Sequence, residues 1–437
     1  MASTVTAEGI TAAFNRESVE ARTQDAPGWL KRWRQDAWST YENTPLPTTR
    51  LEEWRYTDPA KLKWDKVALA APAATAAPQA ELDWLAGRAA SGRALQAGSA
   101  FTQFELADDL AAKGVILADL ATAAVEHEEL LRRHLGSAAG ADAGKFAALN
   151  GAFWDAGILL YVPRGVRVDQ PIRVLRHLTE SGAAYFPRTL IIAEEGSQVG
   201  FVEEFTSPDF DAPTFSCGAV EIIAGAAANV QYVSLQRYGS RVYHMSTKRT
   251  IAGRDANLDT LVVNLGGAVA RIDLAASLEG PGSRSDMLGL YFARGDQHFD
   301  HNTRQNHKVP HATSDLLYKG ALTDRSRAVF RGIIKVFKNA QRTDAYQTNR
   351  NLILSQQAES VSLPNLEIEA DDVRCSHAAT VGQLDAEELF YIMSRGIPRQ
   401  LAERLVVFGF FGEVLDRLPL PGVVEELRRA IEERITA

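Results

Sequence analysis

The pattern of apolar and polar positions changes character twice along the chain. Over residues 1–149 apolar residues recur at roughly helical intervals. In "SVEARTQDAPGWLKRWRQDAWSTYENT" Trp29, Trp33 and Trp38 make a stripe interrupted by Pro27-Gly28. Such a stripe predicts an amphipathic helix whose tryptophans face a core. A Pro-bounded segment, "PLPTTRLEEWRYTDPAKL", follows, and the Ala/Pro run near 70–80 reads as a flexible linker or insertion. From 150 to 384 the periodicity becomes that of strands. Runs such as "RTLIIAEEGSQVGFVEEF" and "AVEIIAGAAANVQYVSLQRY" each give a strand, a small-residue turn and another strand. Glycines in these turns fall at 165, 196, 225, 253 and 280, a period of 27–31 residues. Self-similarity at that period without intervening helices predicts a stacked β-solenoid, a parallel β-helix. A β-sandwich is the competitor, and it does not favour so regular a repeat.

Residues 385–437 return to helical periodicity. Asp385 stands as N-cap with Glu388 three residues on, a capping-box arrangement, and Pro398 suits the first position of a second helix. That helix carries Leu401, Leu405, Phe408, Phe411 and Val414 on overlapping faces, and Val407 and Phe410 extend the apolar surface nearly all round. Two expectations follow: the helices cap the end of the solenoid, which open ends require, or they dock a partner. The fold class is therefore mainly β, a β-helix core between helical N-terminal and C-terminal regions.

Composition narrows the function. A net charge of −8 over 437 residues gives no concentrated positive surface for nucleic acid. No apolar run approaches the roughly 20 residues that span a bilayer, and "MASTVTAEGITAAFNRESVE" lacks the layout of a secretory signal. With only Cys217 and Cys375 a disulfide framework is implausible, so a reducing cytoplasmic setting is expected. An iron–sulfur cluster takes about four thiolate ligands, so two cysteines cannot hold one alone.

Two constellations carry candidate chemistry. His298, His301, His307 and His311 crowd into fourteen residues beside Asp296 and Asp300. Imidazole with carboxylate suits zinc or iron, but these spacings match no zinc motif, so the stretch reads equally as a set of hydrogen-bonded or interface residues. In "DDVRCSHAATVG" Cys375 and His377 are two apart, and on a strand they share a face. The alternative for this pair is a small buried thiol and a hydrogen-bonded imidazole. Cys217, in "TFSCGAVEII", reads as a core residue. No nucleophile motif and no phosphate-binding G-x-x-x-x-G-K-[ST] occurs, so the chain supplies no ATP site, and no catalytic residue is assigned.

"FRGIIKVFKNAQRTDAYQTNRNLILS" followed by "PNLEIEADDVRCSHAATVGQLDAEELFYIMSRG", with "HNTRQNHKVPHATSDLLYKG" upstream, resembles the core of the SufB/SufD family of iron–sulfur cluster assembly scaffolds, over roughly residues 150 to 420. "RLEEWRYTD" is similar to the SufD branch. The resemblance implies a right-handed parallel β-helix and a heterodimer with a SufB-type paralogue. It also implies a SufC-type ABC ATPase docked on the C-terminal helices, which would supply the missing ATP site. A nascent cluster, or iron, is then expected at the SufB–SufD interface, with His377 as this chain's ligand and Cys375 ranked below it; a homodimer is possible in isolation. Ala378 stands where the family typically has Gly. Two other readings stay open: a purely structural scaffold subunit and a carbohydrate-active β-helix enzyme. The latter calls for facing carboxylates, whereas Glu194-Glu195 and Glu203-Glu204 are sequence neighbours.

Overall fold

The repeat is built on a backbone conformation that glycine only partly reports. A computed structural model of the protein describes residues 13–71, 73 and 75–436. In it Gly165, Gly196, Ala227, Asp255, Gly282, His311 and Arg342 all take left-handed backbone, with φ between 54° and 76°. Each stands in the turn that leads from a strand of one sheet to a strand of the other. Gly225, Gly253 and Gly280 occupy a different place, two residues earlier. There a Cβ would press on the preceding coil; that of Gly280 would lie 1.9 Å from the amide nitrogen of Arg254. The glycines counted in the sequence thus serve two needs, φ > 0 and close approach, at one corner of the solenoid.

The strands pair in parallel into two sheets. The first runs in order from Gly157–Val162 to Glu359–Ile368, the second from Ile172–His177 to Arg374–Gln383. About eight coils result. Alternate residues point inward, and buried layers such as Ile172, Val174, Phe201 and Val230 fill the early coils. Tyr291, Phe299, Leu316 and Phe330 fill later ones.

The first third is helical over Gly28–Asn43 and Lys145–Phe153, which pack together on the outer face of the first sheet. Trp29 and Trp38 are buried there and Trp33 is partly so, in a cluster with Phe153, Phe186 and Phe215. This region also contributes strands that its helical periodicity did not announce. Gly92–Ala97 joins the second sheet beside Ile172–His177 and is covered by the antiparallel Ala100–Leu106, while Ile116–Asp119 runs antiparallel to Gly157–Val162 on the first sheet. The Ala/Pro run, in which Pro72 and Ala74 lie outside the described residues, begins from a buried Ala70, and the Thr75 N–H donates to the Ala97 carbonyl.

At the other terminus Asp385 caps the helix Ala386–Met393, its Oδ1 accepting from the Glu387 N–H at 2.8 Å. Pro398 is the N-cap, one position before the helix Arg399–Leu415. This helix and Pro421–Thr436 lie on the outer face of the second sheet, burying Val407, Phe411, Val414 and Leu427 against Leu261, Leu288 and Leu317. They cover a flank rather than cap the end, because the sheet's outward residues there are apolar and need cover. The Lys319 ammonium donates to the Phe410 carbonyl at 2.8 Å and Arg417 pairs with Asp315 at 2.6 Å, which fixes the helix in place. Among the described residues no helix is long and apolar enough to cross a membrane.

Candidate functional site

Among the described residues no strand pairs with the outer edge of the last coil of the solenoid. Glu359–Ile368 and Arg374–Gln383 are the terminal strands of their sheets, and each is hydrogen-bonded to a neighbour on one side only. Parallel pairing keeps in-register residues on the same face, so the column beneath a residue shows which way it points. Cys375 stands above Ala345 and Ser314, and His377 above Gln347 and Leu316, all four of these buried. Both side chains therefore point inward, on the last coil of the solenoid. Cys375 is half-buried against Ile334, Val336 and Ala345, while His377 is exposed. Burial, with Asp344 adding a like-charge effect, holds the Cys375 thiol above its ordinary range. Such a thiol is a poor nucleophile, and a bound cation is what would draw it into the thiolate form.

The other histidines do not join this pair, and they do not join one another. His298 lies on the outer face, its Nε2 at 2.7 Å from the Thr57 hydroxyl. His301 points inward, stacks on Tyr291 at 4.7 Å and bonds through Nε2 to Asn264 at 2.8 Å. His307 is also inside, its Nε2 at 2.7 Å from the Ser314 hydroxyl, and burial pushes both His301 and His307 down to about 4. His311 occupies a left-handed turn position, a conformation that His tolerates better than most residues. Among the described residues no three His, Cys, Asp or Glu side chains converge as a metal site. Cys217 is a core residue, fully desolvated, its Sγ directed at the Phe146 carbonyl.

The apolar C-terminal surface divides in two. Phe411 and Val414 are committed to the sheet, and Phe408 packs at its margin. Leu401 and Leu405 are each 46% exposed. Sequence reasoning missed their neighbours Phe390, Tyr391 and Met393, of which Phe390 is 73% exposed. The signal was there: Leu389 to Met393 are five consecutive apolar residues on an eight-residue helix, and one face cannot bury them all. These exposed apolar side chains lie on two helices that pack against each other. The carboxylates of Glu203 and Glu204 are both buried and paired, with Arg176 and Arg237, so they frame no substrate groove.

A two-sheet parallel solenoid with an inward-facing Cys–His pair on its last coil and exposed apolar side chains on its C-terminal helices has the build of a scaffold-type protein. The comparisons agree on the family. Residues 11–174 match the SufBD protein N-terminal region, and 176–410 match the SufBD core domain of the SUF system of iron–sulfur cluster assembly. An iron–sulfur cluster assembly SufBD family protein of Staphylococcus haemolyticus is 30% identical over 431 residues, covering 95% of this chain and 91% of the relative. One from Staphylococcus epidermidis is 32% identical over 348 residues, covering 80% and 74%. The chain belongs to the SufBD family of iron–sulfur cluster assembly proteins.

Proposed function

We propose that this chain is a non-catalytic scaffold subunit of the SufD type, working in the cytoplasm with a SufB-type paralogue and a SufC-type ABC ATPase. His377, with Cys375 beside it, contributes to a site for nascent cluster or incoming iron that a second chain completes. One observation carries the reading: the inward-facing Cys375–His377 pair lies on one of two terminal strands whose outer edges pair with no strand among the described residues. An unpaired parallel edge recruits another strand, and a partner adding strands to both sheets would bring its own ligands over this pair. That arrangement meets the shortage of thiolates within the chain. The patch of Phe390, Tyr391, Leu401 and Leu405 is a fitting dock for the ATPase, whose nucleotide-driven motion would shift the population of open and closed mouths.

Anaerobic co-purification from the native cells tests the assembly, and recovery of a paralogous solenoid with an ABC-type ATPase is expected. His377→Ala should then leave that complex intact and abolish cluster formation within it. Undiminished cluster formation would remove His377 from the site and favour a purely structural subunit.

A further inference from the structure

The interior of the last closed coil is unlike that of the coils below it. Along Asp344–Ile353 the inward positions after Ala345 are Gln347, Asn349 and Asn351, each at most 3% exposed. In the Gln347 column the preceding coils hold Leu316 and Met287. Two of the three carboxamides are fully engaged. Asn349 donates to the Tyr318 carbonyl at 3.2 Å, and its Oδ1 accepts from Asn351 and from the Ser362 hydroxyl, both at 2.7 Å. Asn351 Oδ1 in turn accepts from the Tyr291 hydroxyl.

Gln347 differs. Its Nε2 donates to the Asn365 carbonyl on a terminal strand at 3.1 Å, which settles which end of the amide is oxygen. Its Oε1 is buried and has no partner. That oxygen lies over Gly332 on the facing sheet, where a Cβ would come within 2.3 Å of it. A buried carbonyl left unsatisfied costs about 1–3 kcal/mol. Gln347 is the residue in register directly below His377, with their strands one interstrand step of about 4.8 Å apart and both side chains on the same face. The next two residues down the same column, Leu316 and Met287, are apolar.

We infer that Gln347 is the positioning residue of His377: its Oε1 accepts the imidazole N–H, directly or through one water. A histidine ligand generally donates its second ring nitrogen to a carbonyl or carboxylate, which fixes the tautomer and turns the other nitrogen to the metal. Gln347 selects the tautomer whose free lone pair faces out of the mouth, and its bond to Asn365 ties that choice to the spacing of the two terminal strands. The inference rests on the reading of His377 as a ligand, yet the contact itself can be tested without any cluster.

The test is the ring-nitrogen chemical shifts of His377 at neutral pH in the full-length chain carrying ¹⁵N-histidine, assigned by difference from His377→Ala. One tautomer is expected in the natural sequence. Gln347→Leu should convert it to a mixture, and Gln347→Glu, which keeps an acceptor, should preserve it. Gly332→Ala fills the space that Oε1 occupies and should act like Gln347→Leu, which covers the case in which the leucine variant fails to fold. In the assembled complex Gln347→Leu should weaken iron retention roughly 10–100-fold, with recovery in Gln347→Glu. A mixture already present in the natural sequence, or a ratio unmoved by both Gln347→Leu and Gly332→Ala, would overturn the inference. Either result would leave the role of His377 itself to its own alanine variant.

Discussion

The two ends of the solenoid solve the same problem in opposite ways. At the N-terminal end each sheet finishes in an antiparallel strand from the chain's own first third, Ala100–Leu106 on one and Ile116–Asp119 on the other, joined through the helix Asp108–Ala112. The interior beneath holds a charged, hydrogen-bonded network. Arg176, fully buried, pairs with Glu203 at 2.6 Å and also donates to Gln96, Thr189 and two backbone carbonyls. Glu203 further accepts from the Tyr232 hydroxyl at 2.7 Å, and Tyr232 accepts from Lys248. At the C-terminal end both final strands are parallel edges, the interior carries amides and imidazoles, and several of their polar atoms lack partners: Gln305 Oε1, His307 Nδ1, Gln347 Oε1 and Ser360 Oγ. The Arg176–Glu203 network satisfies its interior polar groups with one another, whereas these interior groups near the open end do not.

The sharpest break in this comparison should come at the closed end. Arg176→Ala strands Glu203 in the interior without its principal counter-charge, and losing one member of a buried pair costs about 3–5 kcal/mol. Denaturant unfolding should show that loss, whereas His377→Ala at the open end should stay within about 0.5 kcal/mol of the parent. Near-equal losses would mean that the buried pair is dispensable and the contrast between the ends false.

Acid should separate the ends next. Burial raises the Glu203 carboxyl, but Arg176, Lys248 and its hydrogen bonds outweigh that and leave it below the usual range, so its pair persists in mild acid. The buried imidazoles behave oppositely. Burial lowers His307 to about 4, against about 6.5 in an unfolded chain. The unfolded state therefore binds the extra proton in this window. The stability due to a neutral His307 is fully present above about pH 6.5 and is lost as pH falls toward 4, a loss on the order of 3 kcal/mol. His301, lowered to about 4, adds to the loss, and so does His244 in the middle of the solenoid, lowered to about 3. His307→Gln should flatten the profile between pH 6.5 and 4.5 in denaturant titrations. A slope unchanged from the parent would show that His307 is not neutral and buried in solution.

What could be read from the sequence follows the same division. The repeat was legible because strand, turn and strand recur at a fixed length, and Cys375 and His377 could be put on one face because i and i+2 always share one. Which face was not legible. Gln347, Asn349 and Asn351 look like a solvent-facing row, and only the column of Leu316 and Met287 beneath Gln347 shows that they point inward. His311 resembled a ligand and serves as a turn residue, in the position that Gly282 fills one coil earlier, because φ > 0 is tolerated by several polar residues besides glycine. The strands of the first third were hidden by short alternation inside Ala-rich text. Phe411 and Val414 carried no mark that told a sheet-facing side of their helix from a free one.

The C-terminal helices give a finer contrast between their buried and exposed faces. Phe411→Ala removes a core side chain and should cost about 3–5 kcal/mol in denaturant unfolding. Phe390→Asp with Leu401→Asp touches exposed positions only, so stability should hold within about 0.5 kcal/mol while recovery of the ATPase in co-purification is lost. Retention of the ATPase by that double variant would place its dock elsewhere and return the patch to plain surface.

The smallest structural change should have the most selective consequence. Val381 is inward-facing on the last strand yet 49% exposed, because no described strand pairs above it. A lysine there meets solvent in the isolated chain, so Val381→Lys should alter unfolding by less than about 0.5 kcal/mol. Once another chain adds its strand, the same ammonium is buried in a growing interior, and inward-pointing charge is a known bar to edge pairing. Loss of the paralogous solenoid from co-purification, with the ATPase retained through its separate patch, is the expected result. Loss of both partners together would mean that the open end and the helical patch belong to one surface, and that the two-site picture of this scaffold is wrong.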